Sequence, residues 1–293
     1  MSRYVVGLGE ILWDMLPSGK KLGGAPANFA YHTSRFGFEA LVISAIGTDI
    51  LGDEILSVLS EKGLHCHIGR VSFPTGTVNV SVDAQGIPQY EIREDVAWDN
   101  IPFNQSLMDI ANHTICACFG TLAQRSAVSR TTISRFLGHM PKESLRVFDI
   151  NLRQRFYSIE IIKASLEKCN ILKINDEELI ALARMLGVEA ENPSVFCNWL
   201  RREYCLETVI LTCGTSGSHV YYDGGESVLP TPKVVVADTV GAGDSFTAGF
   251  CAALLSGKSM LDAHRIAVEL SAYVCTQSGA MPLIPPTITA MIE

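Results

Sequence analysis

A glycine-rich segment in the carboxyl-terminal third of the chain carries the residues best suited to chemistry. Residues 238–244 read Asp-Thr-Val-Gly-Ala-Gly-Asp and lead into a helical pattern over 244–255. Small residues at Gly241, Ala242 and Gly243 allow backbone N–H groups to converge at a helix N-terminus, which favours anions. A carboxylate at Asp244 then suits a general base beside a transferring phosphoryl group. Taken alone, the segment is equally consistent with a turn in which Asp244 caps the helix.

Polar residues and glycines follow three predicted strands, and in open α/β sheets ligands bind beyond the carboxyl ends of strands. Arg153 could bind a phosphate or substrate oxygen with its guanidinium group, or form a surface ion pair. Asn175 and Glu178 could organise Mg²⁺ and its waters, or form a capping box. The strands and the residues that follow them are 146–150 with Asn151 and Arg153, 171–174 with Asn175 and Glu178, and 209–211 with Thr212 and Gly214.

The amino-terminal part of the chain adds side chains suited to neutral hydroxyl groups. Residues 23–30 read Gly-Gly-Ala-Pro-Ala-Asn-Phe-Ala, and Asp14 precedes them. The carboxylate of Asp14 and the amide of Asn28 can bind several sugar hydroxyls, and the paired glycines allow a ligand to approach closely. The alternatives are a turn residue for Asp14 and a helix cap for Asn28.

The elements that must position these residues are short apolar runs alternating with amphipathic, helix-length segments. This alternation is typical of a parallel α/β architecture. Residues 70–98 differ, because Val78 alternates with polar neighbours before a turn at 84–86, which predicts an antiparallel hairpin. We expect this hairpin and an early extended segment over 12–21 to form a small sheet over the main domain. Further predicted strands are 4–8, 41–46 and 114–119; predicted helices are 53–62, 126–139, 159–169, 176–186, 194–204 and 262–276.

Composition and charge exclude several classes of protein. The chain has 293 residues, of which 47% are hydrophobic and 18% charged, so disorder is excluded. A net charge of −8 argues against nucleic acid or an anionic membrane as the main partner. No apolar run approaches a membrane span, the amino-terminal residues do not resemble a signal peptide, and the nine cysteines are expected to be reduced. These features predict a cytoplasmic protein.

Several nucleotide and hydrolase motifs are missing. Gly7 and Gly9 follow a strand, but Leu12 stands where a dinucleotide fingerprint needs its third glycine. The chain has no Walker-type phosphate loop, and residues 214–218 do not match the nucleophile elbow of α/β-hydrolases. A dinucleotide oxidoreductase, a Walker-type NTPase and a serine hydrolase are therefore disfavoured.

Segments 23–30 and 238–244 together resemble the two signatures of the PfkB, or ribokinase-like, carbohydrate kinases. The resemblance runs over about residues 7–285, nearly the whole chain. The sequence of residues 23–30 is most similar to that of fructokinases. The resemblance implies one three-layer αβα kinase domain over 1–293 with a mostly parallel sheet. It also implies a β-sheet lid formed by about 12–34 and 70–98, which agrees with the predicted hairpin.

The implied activity is ATP- and Mg²⁺-dependent phosphorylation of a sugar hydroxyl, most closely that of a fructokinase. By matching position, Asp244 is the catalytic base, residues 241–243 form the anion hole, and Arg153 lies near the substrate or the phosphoryl group. The remaining matches are Asp14, Gly24 and Asn28 for the sugar; Thr212, Gly214, Gly217 and Asn175 for the nucleotide; and Glu178 for Mg²⁺ through water.

Other features leave alternatives open. Some family members bind a monovalent cation partly through the aspartate matching Asp238, but Met281 stands near a position where ribokinases offer a serine, so dependence on K⁺ stays open.

The acceptor could instead be ribose, 2-keto-3-deoxygluconate, a nucleoside or a sugar phosphate. A sugar phosphate would need cations in the lid, and residues 10–34 supply only Lys20 and Lys21. A non-catalytic sugar-binding protein is the alternative from another class. Because lid sheets expose edges, we also expect a homodimer formed through the lid.

Overall fold

A nine-stranded sheet and a four-stranded sheet organise the protein. The computed structural model describes residues 3–17, 19–82 and 88–293. The strands, numbered along the chain, are β1 Tyr4–Leu8, β2 Leu12–Leu16, β3 Gly19–Gly23, β4 Glu39–Ile46, β5 His65–Arg70, β6 Gly76–Val82, β7 Pro88–Ile92, β8 Thr114–Phe119, β9 Leu145–Asp149, β10 Ile171–Asn175, β11 Thr208–Thr212, β12 Ser218–Tyr222 and β13 Gly225–Leu229.

The large sheet has the order β13-β12-β11-β10-β9-β8-β1-β4-β5. The pairs from β11 through to β5 are parallel, and β12 and β13 extend the sheet in antiparallel fashion. The chain runs outward from β1 to β4 and β5, then returns to β8 on the other side of β1. The order of strands therefore reverses between β1 and β8, and ligands of open α/β sheets bind in the crevice at such a point.

Helices cover both faces of the large sheet and create two apolar cores. Helices α1, α2, α8 and α9 pack on one face, and α3 to α7 pack on the other. The central strands are apolar on both faces because both are buried. The helices are α1 Ala25–Arg35, α2 Ile50–Glu61, α3 Gln105–Asn112, α4 Ala127–His139, α5 Ile159–Leu166, α6 Asp176–Leu186, α7 Pro193–Glu203, α8 Ala242–Leu255, α9 Met260–Cys275 and α10 Pro286–Thr289.

The small sheet, which we call the lid, has the order β3-β2-β6-β7. Strands β2 and β6 are parallel, and β3 and β7 pair antiparallel on the outside. Trp13 of β2 anchors the lid to α2, because its indole Nε1 donates to the carbonyl of Leu51 at 3.0 Å. On β3, Lys20 forms an ion pair with Glu54 of α2.

The predicted three-layer fold with a mostly parallel sheet and a small second sheet is confirmed. The hairpin over 70–98 is present as β6 and β7, while the predicted turn at 84–86 lies outside the described residues. The lid strands occupy a smaller part of the chain than the expected segments 12–34 and 70–98. Residues 25–34 belong to α1, whose apolar side chains are buried against the large sheet.

Among the described residues, no helix combines the length and apolarity needed to cross a membrane. All nine cysteines are free.

Candidate active site

The glycine-rich segment forms the N-terminus of α8 at the carboxyl edge of the sheet. Gly241 precedes the helix in the left-handed region with φ of 80°, and a Cβ added there would lie 2.8 Å from that of Ala280. A Cβ on Gly243 would lie 3.0 Å from Nζ of Lys173. Only small residues fit here, and a helix N-terminus offers its first N–H groups and its dipole to an anion. The N–H of Ala242 also donates to the carbonyl of Thr239 at 3.3 Å.

Asp244 is the third residue of α8 and is half-buried. The Asn28 amide Nδ2 donates to Oδ2 of Asp244 at 2.7 Å, joining the starts of α1 and α8. Burial raises the pKa of Asp244 to about 6, the charge of Asp149 adds to this effect, and the hydrogen bond from Asn28 opposes it. A carboxylate with this pKa is ionised near neutral pH and is a better proton acceptor than an ordinary aspartate.

A buried ion pair lies beneath the anion site. Lys173 of β10 stands in register with Asp149 of β9, so both side chains project from the same face, with Nζ and Oδ1 3.1 Å apart. Burial lowers the pKa of Lys173. The carboxylates of Asp149, Glu178 and Asp244 outweigh this effect, so the pKa of Lys173 is raised. The site therefore contains a fixed positive charge under the first turn of α8.

A cavity lies at the point where the strand order reverses between β1 and β8. Glu10, directly after β1, is 4% exposed, and its Oε2 has no hydrogen-bond partner among the described residues. Burial raises the pKa of Glu10 to about 7, a hydrogen bond from its own backbone amide opposes this, and the charge of Asp244 adds to it. The cavity is lined by Glu10, Ala25, Pro26, Phe29, Cys118, Phe119, Gly120, Asp149, Asn151 and Asp244.

The residues matched to the sugar lie beside this cavity. Gly24 precedes α1 with φ of 121°, and a Cβ there would lie 2.5 Å from the carbonyl oxygen of Glu10. Burial raises the pKa of Asp14 on the lid strand β2, and the charge of Arg153 opposes the rise. Arg153 is exposed and also lowers the pKa of Asp244 and Glu10. The structure thus brings Asp14, Gly24, Asn28, Arg153 and Asp244 together.

Asn175 and Glu178 form the capping box of α6. Oδ1 of Asn175 accepts from the N–H of Glu178 at 2.8 Å, and Oε2 of Glu178 accepts from the N–H of Asn175 at 2.9 Å. The other Glu178 oxygen accepts from the N–H of Leu152 at 2.9 Å. Burial raises the pKa of Glu178, while Lys173 lowers it and Asp149 raises it. The pair therefore has a structural role, and both residues lie at the same sheet edge as Asp244.

The residues matched to the nucleotide follow β11. Thr212 ends the strand, and its hydroxyl donates to the carbonyl of Ile174 at 3.4 Å. Gly214 and Gly217 adopt positive φ values of 52° and 111° in the following turn. A Cβ on Gly217 would lie 2.4 Å from the carbonyl oxygen of Leu229, so this turn requires glycine.

This geometry agrees with a family comparison over most of the chain. The family model for pfkB family carbohydrate kinases matches residues 18–287. The chain belongs to the pfkB carbohydrate kinase family. Residues 241–244, the start of α1 and the capping box all lie within the matched range.

Two relatives and one solved structure show the extent of the similarity. The chain is 26% identical to an ATP-dependent 6-phosphofructokinase of Thermoanaerobacterium thermosaccharolyticum, covering 99% of this chain and 94% of the relative. It is 25% identical to a fructokinase of Rhizobium leguminosarum bv. trifolii, covering 84% and 78%. The structure of fructokinase with bound ATP from Xylella fastidiosa matches with a TM-score of 0.85, at 22% identity and with 100% and 98% covered.

Sequence reasoning about this pfkB kinase missed three charged residues of the site: Glu10, Asp149 and Lys173. Asp149 ends β9 and Lys173 lies in the middle of β10, each next to buried apolar residues. Buried charges are costly unless they are paired, so each is a signal that a partner lies nearby. Neither segment alone shows the strand register that places the two residues side by side. Glu10 follows the predicted strand over 4–8, where sequence reasoning gave a role to Asp14 alone.

Proposed function

We propose that this pfkB kinase is an ATP-dependent sugar kinase, a phosphotransferase with an alcohol group as acceptor, and that fructose is its acceptor. The observation that supports it most is the position of Asp244. Its carboxyl group lies in the first turn of α8, beside the anion site, and is bound by Asn28 at the start of α1. The proton acceptor and the phosphoryl site are thus adjacent, as phosphoryl transfer to a hydroxyl requires.

In the proposed reaction, Asp14, Gly24 and Asn28 orient the sugar under the lid. Asp244 accepts the proton of the attacking hydroxyl, and Asn28 holds its carboxyl group in place. Backbone N–H groups at 241–243 and the α8 dipole stabilise the negative charge of the transferring phosphoryl group. Arg153 supplies a further positive charge near the acceptor. Thr212, Gly214, Gly217 and Asn175 are proposed to bind the nucleotide.

The residues present fit a magnesium ion that binds through water. Three carboxyl groups lie close enough to shift the pKa of one another or of Lys173, those of Asp149, Glu178 and Asp244. Asn175 adds an amide oxygen at the same edge. Because both Glu178 oxygens already accept backbone N–H groups, we assign Glu178 to hold the waters of Mg²⁺. When bound with ATP, Mg²⁺ neutralises phosphate charge during transfer.

A sugar phosphate is the second candidate acceptor, favoured by the similarity to a 6-phosphofructokinase. The two lid lysines do not favour it. Lys20 is paired with Glu54, and Nζ of Lys21 lies 3.8 Å from Oδ2 of Asp238. A phosphorylated acceptor would have to compete with these carboxylates for both cations. With Lys21 beside it, Asp238 already has a cationic partner, which does not favour K⁺ at this residue.

An ADP-release assay across an acceptor panel tests the proposal. The panel contains fructose, fructose 6-phosphate, ribose, 2-keto-3-deoxygluconate and adenosine, each with MgATP. We expect the highest kcat/KM with fructose. A higher value with another acceptor would replace fructose, and sugar binding without ADP release from any acceptor would favour a non-catalytic sugar-binding protein.

A further inference from the structure

Glu10 is a buried carboxyl group that the proposed reaction does not use. It is 4% exposed, and one of its two oxygens, Oε2, has no hydrogen-bond partner among the described residues. Buried polar atoms are nearly always paired, since an unpaired one costs free energy. The neighbouring charged groups have partners: Asp149 pairs with Lys173, and Asp244 accepts from Asn28. The unpaired oxygen of Glu10 therefore needs a separate explanation.

The position of Glu10 points to a ligand. Glu10 follows β1 at the reversal of strand order and lines the same cavity as Asp244, beside Pro26 and Phe29. A second buried acceptor, Oδ1 of Asn28, also lacks a donor among the described residues. Two unpaired acceptors on one site require two donors, and the hydroxyl groups of a polyol supply donors of this kind.

We propose that Glu10 is a specificity-determining residue whose Oε2 accepts a hydrogen bond from a hydroxyl of the acceptor other than the one that is phosphorylated. This inference rests on the proposed function, because the cavity binds the acceptor only if Asp244 acts on it. The ligand class is a compound with at least two hydroxyl groups separated by a short carbon skeleton. One is directed to Asp244 and the other to Glu10, so a substrate that lacks the second hydroxyl is discriminated against.

The charges around Glu10 support this role. Asp244 on α8 raises its pKa, while Arg153 after β9 and Arg125 after β8 lower it, and burial has the largest effect, bringing the pKa to about 7. The paired carboxylate of Asp149 also lines the cavity. A hydroxyl that donates to Glu10 favours its ionised form. Acceptor affinity should then rise with pH through about 7 in the wild type.

Two variants separate binding from folding. Glu10→Met removes the acceptor oxygens at similar length, and Glu10→Gln keeps one of them without charge. The probes are fructose, ribose, 2-keto-3-deoxygluconate and adenosine, titrated without nucleotide by calorimetry, and the one that the wild type binds most tightly is used. We expect Glu10→Met to weaken binding about tenfold or more, the scale of a hydrogen bond to a charged group. Glu10→Gln should weaken it less and abolish the rise in affinity with pH.

Thermal unfolding at pH 8 distinguishes a binding role for Glu10 from a structural one. Removing an unpaired buried carboxyl group relieves its desolvation, so we expect both variants to be at least as stable as the wild type. Glu177→Gln, at an exposed position of α6, is the matched control and should change neither affinity nor stability. Lower stability with unchanged affinity would show that Glu10 serves the fold, and the inference would be wrong.

A substrate series identifies the hydroxyl. We expect one monodeoxy analogue of the bound probe to bind wild type and Glu10→Met with the same affinity, because it lacks the hydroxyl that donates to Glu10. The other analogues should still bind Glu10→Met more weakly than they bind the wild type. Affinity within twofold of wild type for both Glu10 variants overturns the role of Glu10 and leaves the proposed function intact. Glu10-dependent binding without ADP release overturns the kinase reaction alone, and no binding of any probe overturns both.

Discussion

Three carboxyl groups, those of Glu10, Asp149 and Asp244, line one cavity, but their surroundings differ. Both oxygens of Asp149 have partners, because Oδ1 pairs with Lys173 and Oδ2 accepts from the hydroxyl of Thr247. Asp244 accepts from Asn28 and has a pKa of about 6. Of the three, Asp244 also lies in the first turn of α8. The assignment of Asp244 as the base therefore follows from both its environment and its position.

The dependence of kcat/KM on pH follows from the same residue. Asp244 accepts a proton only when ionised, and its pKa is raised to about 6. We therefore expect kcat/KM to be maximal above pH 6 and to fall tenfold per pH unit well below it. Steady-state assays between pH 4.5 and 8 measure this. If kcat/KM fell only near pH 4, as for an unperturbed aspartate, burial and Asp149 would not be raising the pKa of Asp244.

The variant Glu10→Gln is a control for this profile. Near pH 6 Glu10, whose pKa is raised to about 7, is mostly protonated and carries little charge, so the acid limb set by Asp244 should stay near pH 6 in this variant. A limb that moved to lower pH would mean that Glu10 is ionised there and repels the charge of Asp244.

At the scale of elements, the N-termini of helices meet at the carboxyl edge of the sheet. Helices α1, α6 and α8 all begin there, and their first turns supply Asn28, Glu178 and Asp244. Each side chain is buried or enclosed, and each forms a hydrogen bond to another element or to its own helix cap. Positioning therefore depends on the packing of helices rather than on mobile loops.

The capping box of α6 provides a test of the magnesium site. We expect Glu178→Gln to raise the Mg²⁺ concentration required for half-maximal rate about tenfold, the scale seen when groups that orient a metal are changed. The same variant should lower the free energy of unfolding by about 1 kcal/mol, because one of its two backbone bonds is lost. Magnesium titrations of the rate and urea unfolding measure the two effects.

Glu177→Gln is the matched control, since Glu177 is exposed on the same helical turn. It should leave both quantities unchanged. If Glu178→Gln altered stability but not the magnesium requirement, the capping box would be its only role.

Elements with strong periodicity were predictable from the sequence, and those without it were not. The bounds of β8 and α6 agree with the prediction to the residue, because the apolar run and the capping residues define them. Strands β12 and β13 and helix α3 were not predicted, since they are short and carry polar residues beside the apolar ones. Strand β12 pairs with β11 before it and β13 after it, so the difficulty lay in the weak local pattern and not in distance along the chain.

The candidate site was predictable where a residue type carries its own chemistry. Asp244, Asn28 and the glycines around them were found from their types and from family resemblance. The buried pair of Asp149 and Lys173 was not found, because it depends on the register between β9 and β10. Likewise, the free oxygen of Glu10 becomes evident only when every neighbouring donor is placed.

At the scale of the whole molecule, a net charge of −8 is compatible with binding an anionic nucleotide. In the proposed reaction, attraction at the site comes from the backbone N–H groups at 241–243, the α8 dipole, Lys173 and Arg153. Because long-range fields are screened at physiological salt, these local groups outweigh the overall charge. The acidic surface therefore does not oppose the proposed function.

The lid leads to a prediction about assembly. Strands β3 and β7 form its edges, and Met15 on β2 and Ile50 at the start of α2 are exposed apolar residues. Pairing of two lids would cover these edges, so we expect a homodimer at micromolar concentration in sedimentation velocity experiments. Met15→Lys should shift the equilibrium toward monomer, because a charge would be placed in the interface.

Leu261→Lys is the control for the dimer, as Leu261 is an exposed apolar residue of α9 on the main domain. It should leave the sedimentation coefficient unchanged. A wild-type protein that sediments only as a monomer would contradict pairing through the lid.

The most direct test of the central claim compares ADP release and acceptor binding in Asp244→Asn. Asparagine keeps the size of the side chain but cannot accept the proton, and a base of this kind contributes about 10²–10⁴-fold to the rate. We predict a loss of kcat on this scale or greater, with acceptor affinity within a few-fold of wild type and an unchanged circular dichroism spectrum. Turnover near the wild-type rate in a folded Asp244→Asn variant would contradict the account.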